Sequence, residues 1–538
     1  MTARTPALAF AVALVALFGL TAHFRFNGLS SGFPNDQFIH LANAQQMLFG
    51  EWPTRDFLDA GMPLMYAASA LALRSLGNTL FAEAVLVAIA LGLAAVLTAE
   101  AVRELTGSRA LGLLAAVLEV AILPRAYSYP KILTYAIGFL LLQRYVSRPT
   151  NARLFALAAV VVTAFLFRHD HGIYLAVAGV LAAWFALGDD GRRGGHRRAL
   201  VFVGMGVLLA APYVAYVQVY DGIWPYLQKG LEFRSREFAR AEYVWPVLSG
   251  ERPLHAVLFY AYWACPFVAA ATVWAIRRRE DGATAAARVL PVVVVALFLN
   301  TTFARPPMDA RLPDAVVPFL MLGAWLTLCA WRARRRWVWR PAAAVLGVLV
   351  TASVMSVDRT LDHLDRAGLL APFSEWPQYV RRTRAVLEAP HAEIMLPSRA
   401  AEDLVPFYDY VARCTTSNHR VLVVGLIPEV VFFTHRPFAG GLAILPPGYF
   451  AAEKYQQAVV NKLSKQTVPF VVIPGERYID DFDSLFPIVA GHVRKRYVQL
   501  ATFGDEEDTR VDVLIDPTVP APSRDAVTGW PCLTAGPA

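Results

Sequence analysis

Charged and aromatic side chains gather at five places in an otherwise apolar chain. The stretch from PNDQFIH to GEWPTRDFLDA supplies Asp36, His40, Glu51, Arg55, Asp56 and Asp59. PRAYSYPK supplies Arg125, Tyr127, Tyr129 and Lys131, and RHDHG supplies Arg168, His169, Asp170 and His171. A long polar segment, YDGIWPYLQKGLEFRSREFARAEYVW, comes fourth. ARPPMDARLPD brings Arg305, Asp309, Arg311 and Asp314. A carboxylate beside a hydroxyl is a general base, and Arg and Lys are the side chains that hold phosphate. Both kinds of group, set at the ends of apolar runs, suit a phosphate-bearing substrate linked to a lipid.

The elements that must position these groups are membrane spans. Of 538 residues, 56% are hydrophobic, too many for a water-soluble enzyme of this size. Apolar runs fall near 6–23, 79–101, 109–124, 131–146, 153–167, 172–188, 199–219, 255–276, 288–303, 313–331 and 341–357. About 20 helical residues cross a hydrocarbon core, so the reading is a mostly α, polytopic bundle of about eleven spans. Residues 1–23 read as a retained first span rather than a cleaved signal peptide. Arg-bearing loops at 103–109, 144–153, 192–198, 277–288 and 332–340 then all fall on the side of the N-terminus. The positive-inside rule makes that side the cytoplasm. The five polar places, and everything after about 358, fall on the opposite side. The apolar segment 61–77 would invert every later loop if it crossed, so it is expected to be a helix on the outer face or only partly inserted. The net charge of +8 is accounted for by topology, and nucleic acid is not an expected partner.

Residues 1–357 are therefore expected to form the transmembrane domain, with a first outer loop at 24–78, and 358–538 a soluble extracytoplasmic α/β domain. In the latter, RVLVVGL (420–426), PFVVIPG (469–475) and VDVLI (511–515) read as buried strands. A helix at 454–466 lies between two of them, and strand–helix–strand alternation marks an α/β layer. Of the four cysteines, Cys265 and Cys329 sit in apolar runs. Cys414 and Cys532 are either a disulfide or two lone thiols, and the sequence does not choose between them. No Cys spacing fits a metal site.

Each acid also has a structural reading. Asp36 precedes FIHLANAQQMLF, whose apolar residues recur at helical spacing, so 37–49 is expected to be an amphipathic interfacial helix. An Asp at its start is a normal N-cap, and a carboxylate bonded to backbone amides is a weaker base. If Asn35 caps, Asp36 is left to act; if Asp36 caps, the base is to be sought at Asp56. Adjacent residues of RHDHG do not point together on a helix, which weighs against a metal site there. The alternating charges from Glu232 to Glu242 read as a solvated helix with i,i+4 pairs, or as a lid over the acceptor.

The stretch NDQFIHLANAQQMLFGEWPTRDFLDAGMPLMY resembles the first outer loop of GT-C-type membrane glycosyltransferases, the superfamily of protein O-mannosyltransferases and aminoarabinose transferases. The resemblance is carried by Asp36, Ala44, Gly50, Trp52, Asp56, Phe57, Pro63, Leu64 and Tyr66. FLFRHDHG and FARPPMDARLPD are similar to outer-face loops of bacterial members. Asn35 stands where many relatives carry a second acid, and Met62 replaces one proline of the usual pair. The resemblance implies inverting transfer of a sugar from a polyprenyl-phosphate donor to an extracytoplasmic glycan, lipid or protein acceptor, in the inner (plasma) membrane. It implies Asp36 as general base, with Asp56 as the second candidate carboxylate. Arg168, Lys131 and Arg305 would hold the donor phosphate, and His40, Arg55, Asp170 and Asp309 would support the site or the acceptor. No cofactor is certain, and a divalent metal is left open. Two other functions remain: a polysaccharide or lipid transporter or flippase, for which Glu83, Glu100 and Glu119 in apolar stretches would be the sign, and a non-catalytic subunit of envelope-glycan assembly.

Overall fold

The computed structural model describes residues 4–187, 194–239, 245–249, 253–279, 282–303, 311–333, 336–357, 360–390, 403–446, 448–504 and 509–534. Contacts divide the chain into two compact units, one of residues 1–28, 84–216 and 240–383, the other of residues 29–83, 217–239 and 384–538.

The first unit is helical. Among the described residues, six helical stretches are long and apolar enough to cross a membrane: Ala7–Ser31, Leu80–Thr106, Gly195–Tyr220, Pro253–Ile276, Gly282–Thr302 and Leu312–Arg332. A seventh is counted if Ala343–Ser356 and Thr360–Arg366, bent by 52°, form one broken span. Their surfaces suit hydrocarbon rather than water, with Val15 73%, Leu200 72% and Leu208 74% exposed. The expected spans at 109–124, 131–146, 153–167 and 172–188 fold as the helices Arg109–Ala121, Tyr129–Ser147, Asn151–Phe167 and His169–Phe185, of 13, 19, 17 and 17 residues. Polar groups such as Lys131 and Gln143, or simple shortness, keep them out of the long apolar set.

Local chemistry sets the ends of these helices. Ser108 caps Arg109–Ala121 by accepting from Leu111 N–H, and Thr150 caps Asn151–Phe167 through Arg153 N–H. Small residues let helices approach closely, the packing that works in lipid. A Cβ on Gly112 would stand 2.4 Å from the Ala99 carbonyl oxygen, and Ala95, Ala99 and Ala116 are fully buried beside it.

The second unit holds a four-stranded sheet built from β1 (Val421–Val423), β2 (Phe470–Pro474), β3 (Val498–Phe503) and β4 (Val511–Ile515) in the order β1-β2-β4-β3. β1 and β2 are parallel, with Val421 opposite Phe470, and the other pairings are antiparallel. The three expected strands and the helix between two of them, Glu453–Leu463, are present. β3 was not foreseen, because it is half exposed and lacks the all-apolar run of a buried strand. Leu422, Val471, Ile473, Val489 and Val493 are among the core residues shared by the sheet and its helices. Cys414 and Cys532 form a disulfide, which decides the question that the sequence left open.

Residues of the expected first outer loop fold within this second unit. The Asn35–Leu48 helix buries Phe38 and Leu41 completely. Its apolar face is not turned to lipid, as an interfacial helix would require: the Phe38 ring lies 5.9 Å from Phe432 and 5.7 Å from Phe433. Segment 61–77 folds as the helix Pro63–Leu76 of 14 residues. At about 1.5 Å per residue this falls short of a ~30 Å core.

Candidate functional site

Asp36 stands in the first turn of the Asn35–Leu48 helix and does not cap it. The N-cap position is Pro34, which has no side chain with which to cap. The Asp36 carboxylate is exposed, and among the described residues nothing is bonded to it. Its neighbour Gln37 is fully buried and donates to Glu83 Oε1 at 2.5 Å. That bond fixes the rotation of the first turn with Gln37 inward and Asp36 outward. A carboxylate placed near a helix N-terminus is favoured by the helix dipole, and here it is left without competing donors.

Asp56 is differently placed. Its Oδ2 accepts from Trp52 N–H at 2.7 Å and from Arg55 Nε at 2.7 Å. Lys462 donates to its carbonyl oxygen. Arg55 also reaches the Gly50 carbonyl at 3.0 Å. Asp56 and Arg55 together therefore staple the tight turn 50–57, in which Thr54 has a left-handed φ of 70°. Asp59 does similar work, accepting from Gly61 N–H at 2.8 Å and Met62 N–H at 2.9 Å, and from the Tyr226 hydroxyl at 2.9 Å. His40 is buried, 5.9 Å ring to ring from Tyr66.

In the first unit, Lys131, Arg168 and Asp170 come together around partners far apart in sequence. Lys131 is buried at the start of the Tyr129–Ser147 helix, with Nζ 2.5 Å from Asp314 Oδ2 and 5.1 Å from the centre of the Tyr127 ring. Arg168, in the break between two helices, donates through Nε to Asp170 Oδ1 at 3.0 Å. Asp170 Oδ1 also accepts from His171 N–H at 2.9 Å. His171 Nδ1 is 2.6 Å from the Tyr135 hydroxyl. The two histidines of RHDHG point apart, since His169 stacks on Phe165 with ring centres 4.0 Å apart while His171 faces Tyr135. Among the described residues no group of three or more His, Cys, Asp or Glu is arranged to hold a metal ion. Arg305 and Asp309 lie outside the described residues.

The cluster thus holds two cations and two carboxylates, and the two cations are not equivalent. Lys131 is neutralised by Asp314 at close range and is 3% exposed on its side chain. Arg168 is 32% exposed and bonds Asp170 through Nε, and among the described residues no acceptor is bonded to its terminal nitrogens, which suits them to an anion. A guanidinium has five donors in a planar fork, so it can hold a carboxylate on one edge and a phosphate on the other. The sequence did not foresee that Asp314 partners Lys131: nothing in the spacing of PRAYSYPK and ARLPD indicates that the two would meet. The short apolar context of LPDA was the available signal.

Of the alternating charges, Glu232 and Arg236 bond across the fold, while Arg240 and Glu242 lie outside the described residues. Glu232 accepts from Lys454 at 2.9 Å and from the Tyr455 hydroxyl at 2.6 Å, and Arg236 donates to the Gly448 carbonyl. Of the acids in apolar stretches, Glu100 pairs with Arg103 at 2.7 Å, Glu83 holds Gln37, and Glu119 is buried in the Arg109–Ala121 helix.

No family model matches the sequence, and no curated protein matches it. Among solved structures, the chain is similar to ArnT from Cupriavidus metallidurans bound to undecaprenyl phosphate, with a TM-score of 0.47 and 14% identity, over 95% of this chain and 98% of that one. At that level of similarity the comparison assigns no residue of this chain a role.

Proposed function

We propose that this chain is a membrane glycosyltransferase that moves a sugar, with inversion, from a polyprenyl-phosphate donor to an extracytoplasmic glycan, lipid or protein acceptor, with Asp36 as general base. The observation that carries the reading is the state of Asp36: an exposed carboxylate that neither caps its helix nor bonds to any described residue. A carboxylate so placed is available to accept a proton. Asp56, its rival, is occupied by Trp52 N–H and Arg55.

In the reaction, Asp36 takes the proton of the acceptor hydroxyl as its oxygen forms a bond to the anomeric carbon. The bond from that carbon to the phosphate oxygen breaks on the opposite face, and the polyprenyl phosphate leaves with the electron pair. Arg168, whose terminal nitrogens are bonded to no described residue, stabilises the leaving phosphate best, because preorganised donors act where charge develops. Lys131, held by Asp314, is the second candidate for the phosphate, and Asp170 orients Arg168.

The test is Asp36→Asn and Asp36→Ala in cells, with quantification of the glycan product. Both are expected to abolish transfer at unchanged protein level, since an exposed, unbonded side chain contributes within about 0.5 kcal/mol to stability. Full transfer by either variant at normal expression removes Asp36 as the base. Separately, Arg168→Ala is expected to weaken binding of a polyprenyl phosphate more than Lys131→Ala does.

A further inference from the structure

The helix that carries Asp36 is gripped on its far side by a chain of hydrogen bonds. Gln45 follows Asp36 by nine residues on Asn35–Leu48. At about 100° per residue, this sets the two side chains about 180° apart around the helix axis. Whatever holds Gln45 inward therefore aims Asp36 outward. Gln45 is 1% exposed. Its Nε2 lies 3.2 Å from the Phe432 carbonyl oxygen, 3.0 Å from Asn78 Oδ1 and 3.3 Å from His435 Nδ1. Asn78 Nδ2 lies 3.0 Å from the same ring nitrogen. This relay joins the Asn35–Leu48 helix to the turn before Leu80–Thr106 and to the end of the short helix Glu429–Thr434.

One backbone group fixes the direction of every bond in the relay. A carbonyl oxygen only accepts, so the Gln45 atom that faces Phe432 must be its amide nitrogen. That nitrogen has two hydrogens. One goes to the Phe432 carbonyl and the other to Asn78 Oδ1, which is nearer than the His435 ring. Asn78 then turns its own Nδ2 towards His435, and Nδ1 of His435 is the acceptor that ends the relay. The ring is thereby assigned as the neutral tautomer with its proton on Nε2. A proton on Nδ1 would set donor against donor.

The backbone points the same way. His435 is the C-cap of Glu429–Thr434 and is left-handed, at φ 50° and ψ 37°. Glycine is the usual residue in that conformation at a helix end, with asparagine next. A histidine there meets the steric cost of its Cβ, and residues held in such conformations cluster where their side chains are used. The Phe432 carbonyl that orients Gln45 also accepts from His435 N–H at 3.3 Å, so the turn and the relay share one acceptor.

We infer that His435 is a positioning residue for Asp36. Its Nδ1, acting through Asn78 and Gln45, locks the far face of the helix so that the carboxylate stays turned outward. The effect on transfer rests on the reading of Asp36 as general base; the relay itself does not.

The test compares His435→Gly with His435→Asn in the full chain. Glycine removes the backbone strain and the acceptor together. Asparagine tolerates the left-handed conformation and carries Oδ1 one bond from Cγ, where the ring carries Nδ1, so it keeps an acceptor in place. Hydrogen exchange of the amides at 39–48 is expected to speed up several-fold in His435→Gly and to stay near the native rate in His435→Asn. Glycan transfer in cells, at matched protein level, is expected to fall several-fold in His435→Gly and to be restored in His435→Asn. Native exchange in His435→Gly overturns the relay. Equally fast exchange in both variants also overturns it, since the acceptor is then not what holds the helix. Fast exchange in His435→Gly with full transfer overturns the positioning role and leaves Asp36 as the base. Full transfer in Asp36→Asn overturns the base and with it the positioning role, whatever the exchange rates show of the relay. In native protein made with isotope-labelled histidine, the ring nitrogen resonances that are missing from His435→Asn should be those of the Nε2–H tautomer. A ring protonated on Nδ1 overturns the assignment.

Discussion

Lys131 and Asp314 lie 183 residues apart in the chain and meet as a buried ion pair, Nζ to Oδ2 at 2.5 Å. The pair joins the start of the Tyr129–Ser147 helix to the turn before Val316–Arg332. Breaking one partner of a buried pair leaves an uncompensated charge and costs ~3–5 kcal/mol, whereas replacing both with apolar groups of similar size is often neutral. Asp314→Leu and Lys131→Met alone should therefore each lower the thermal midpoint in detergent micelles strongly, and the double variant should recover most of it. A double variant as unstable as either single would show that the pair is not what holds these helices. If Lys131 contributes potential to a donor phosphate, the stable double variant should still lose affinity for polyprenyl phosphate.

The Cys414–Cys532 bond ties the helix Val405–Cys414 to the chain end, across a separation of 118 residues. Closing a long loop restricts the unfolded chain, and loss of such a bond typically costs ~2–5 kcal/mol. Thiol titration of the denatured, unreduced protein should count two thiols, Cys265 and Cys329, and four after reduction. Cys414→Ser should unfold at lower temperature, and reductant should lower the native midpoint while leaving Cys414→Ser unchanged. Four thiols without reductant would refute the bond.

Beside that disulfide, the Arg413 guanidinium holds the Asp525 carboxyl well below the usual carboxylate range, with Thr528 adding hydrogen bonds. A carboxyl whose folded pKa is depressed stabilises the fold above its unfolded pKa of about 3.9, and that contribution is lost as pH falls through the folded value. The thermal midpoint of the native protein should thus drop on the acid side, from about pH 4 downward. In Asp525→Asn the midpoint at pH 7 should be lower, and its fall on acidification shallower. Arg413 is 41% exposed on its side chain, so raised salt should reduce the difference. Parallel acid profiles for the two proteins would remove Asp525 from the linkage.

The sequence carried the architecture where a pattern is local. VLVV, FVVIP and VDVLI announce buried strands because they are almost wholly apolar runs, with Asp512 the one charged residue among them. It failed where a partner is remote. Phe38 and Leu41 read as a membrane-facing stripe, but Phe432 and Phe433, almost 400 residues later, cover Phe38. The alternating charges from Glu232 to Glu242 read as a helix with i,i+4 pairs or as a lid, but Glu232 bonds Lys454 and Arg236 bonds the Gly448 carbonyl. For the candidate site, Asp36 was legible as an acid at a helix start. Its freedom from capping was not, because that depends on Pro34 and on Glu83 turning Gln37 inward.

Arg420 and Glu51 form the polar clamp between the first-loop residues and the sheet region inside the second unit. Arg420 donates through Nη2 to Glu51 and through Nη1 to the Phe438 carbonyl at 3.0 Å. Gln46 completes the clamp, donating to Glu51 Oε2 at 2.5 Å and accepting from Phe438 N–H at 3.0 Å. Both charged side chains are mostly buried, 17% and 21% exposed, so their bonds are worth more than those of an open ion pair. Removing Arg420 takes its charged hydrogen bond from the Glu51 carboxylate and leaves the Gln46 amide and the nearby Lys462 charge, a loss of ~1–3 kcal/mol for a hydrogen bond to a buried charged group. Arg494→Met is the matched control, because its pair with Asp483 is 61% and 39% exposed and such pairs contribute ~0–1 kcal/mol. Hydrogen exchange of the amides at 46–58 should therefore speed up markedly in Arg420→Met and stay at the native rate in Arg494→Met. Equal exchange in the two variants would show that the clamp does not order the loop. Faster exchange in Arg420→Met, accompanied by reduced glycan transfer, would tie the sheet region to the placement of the Asp36 helix, since Gln46 lies on that helix ten residues beyond the acid.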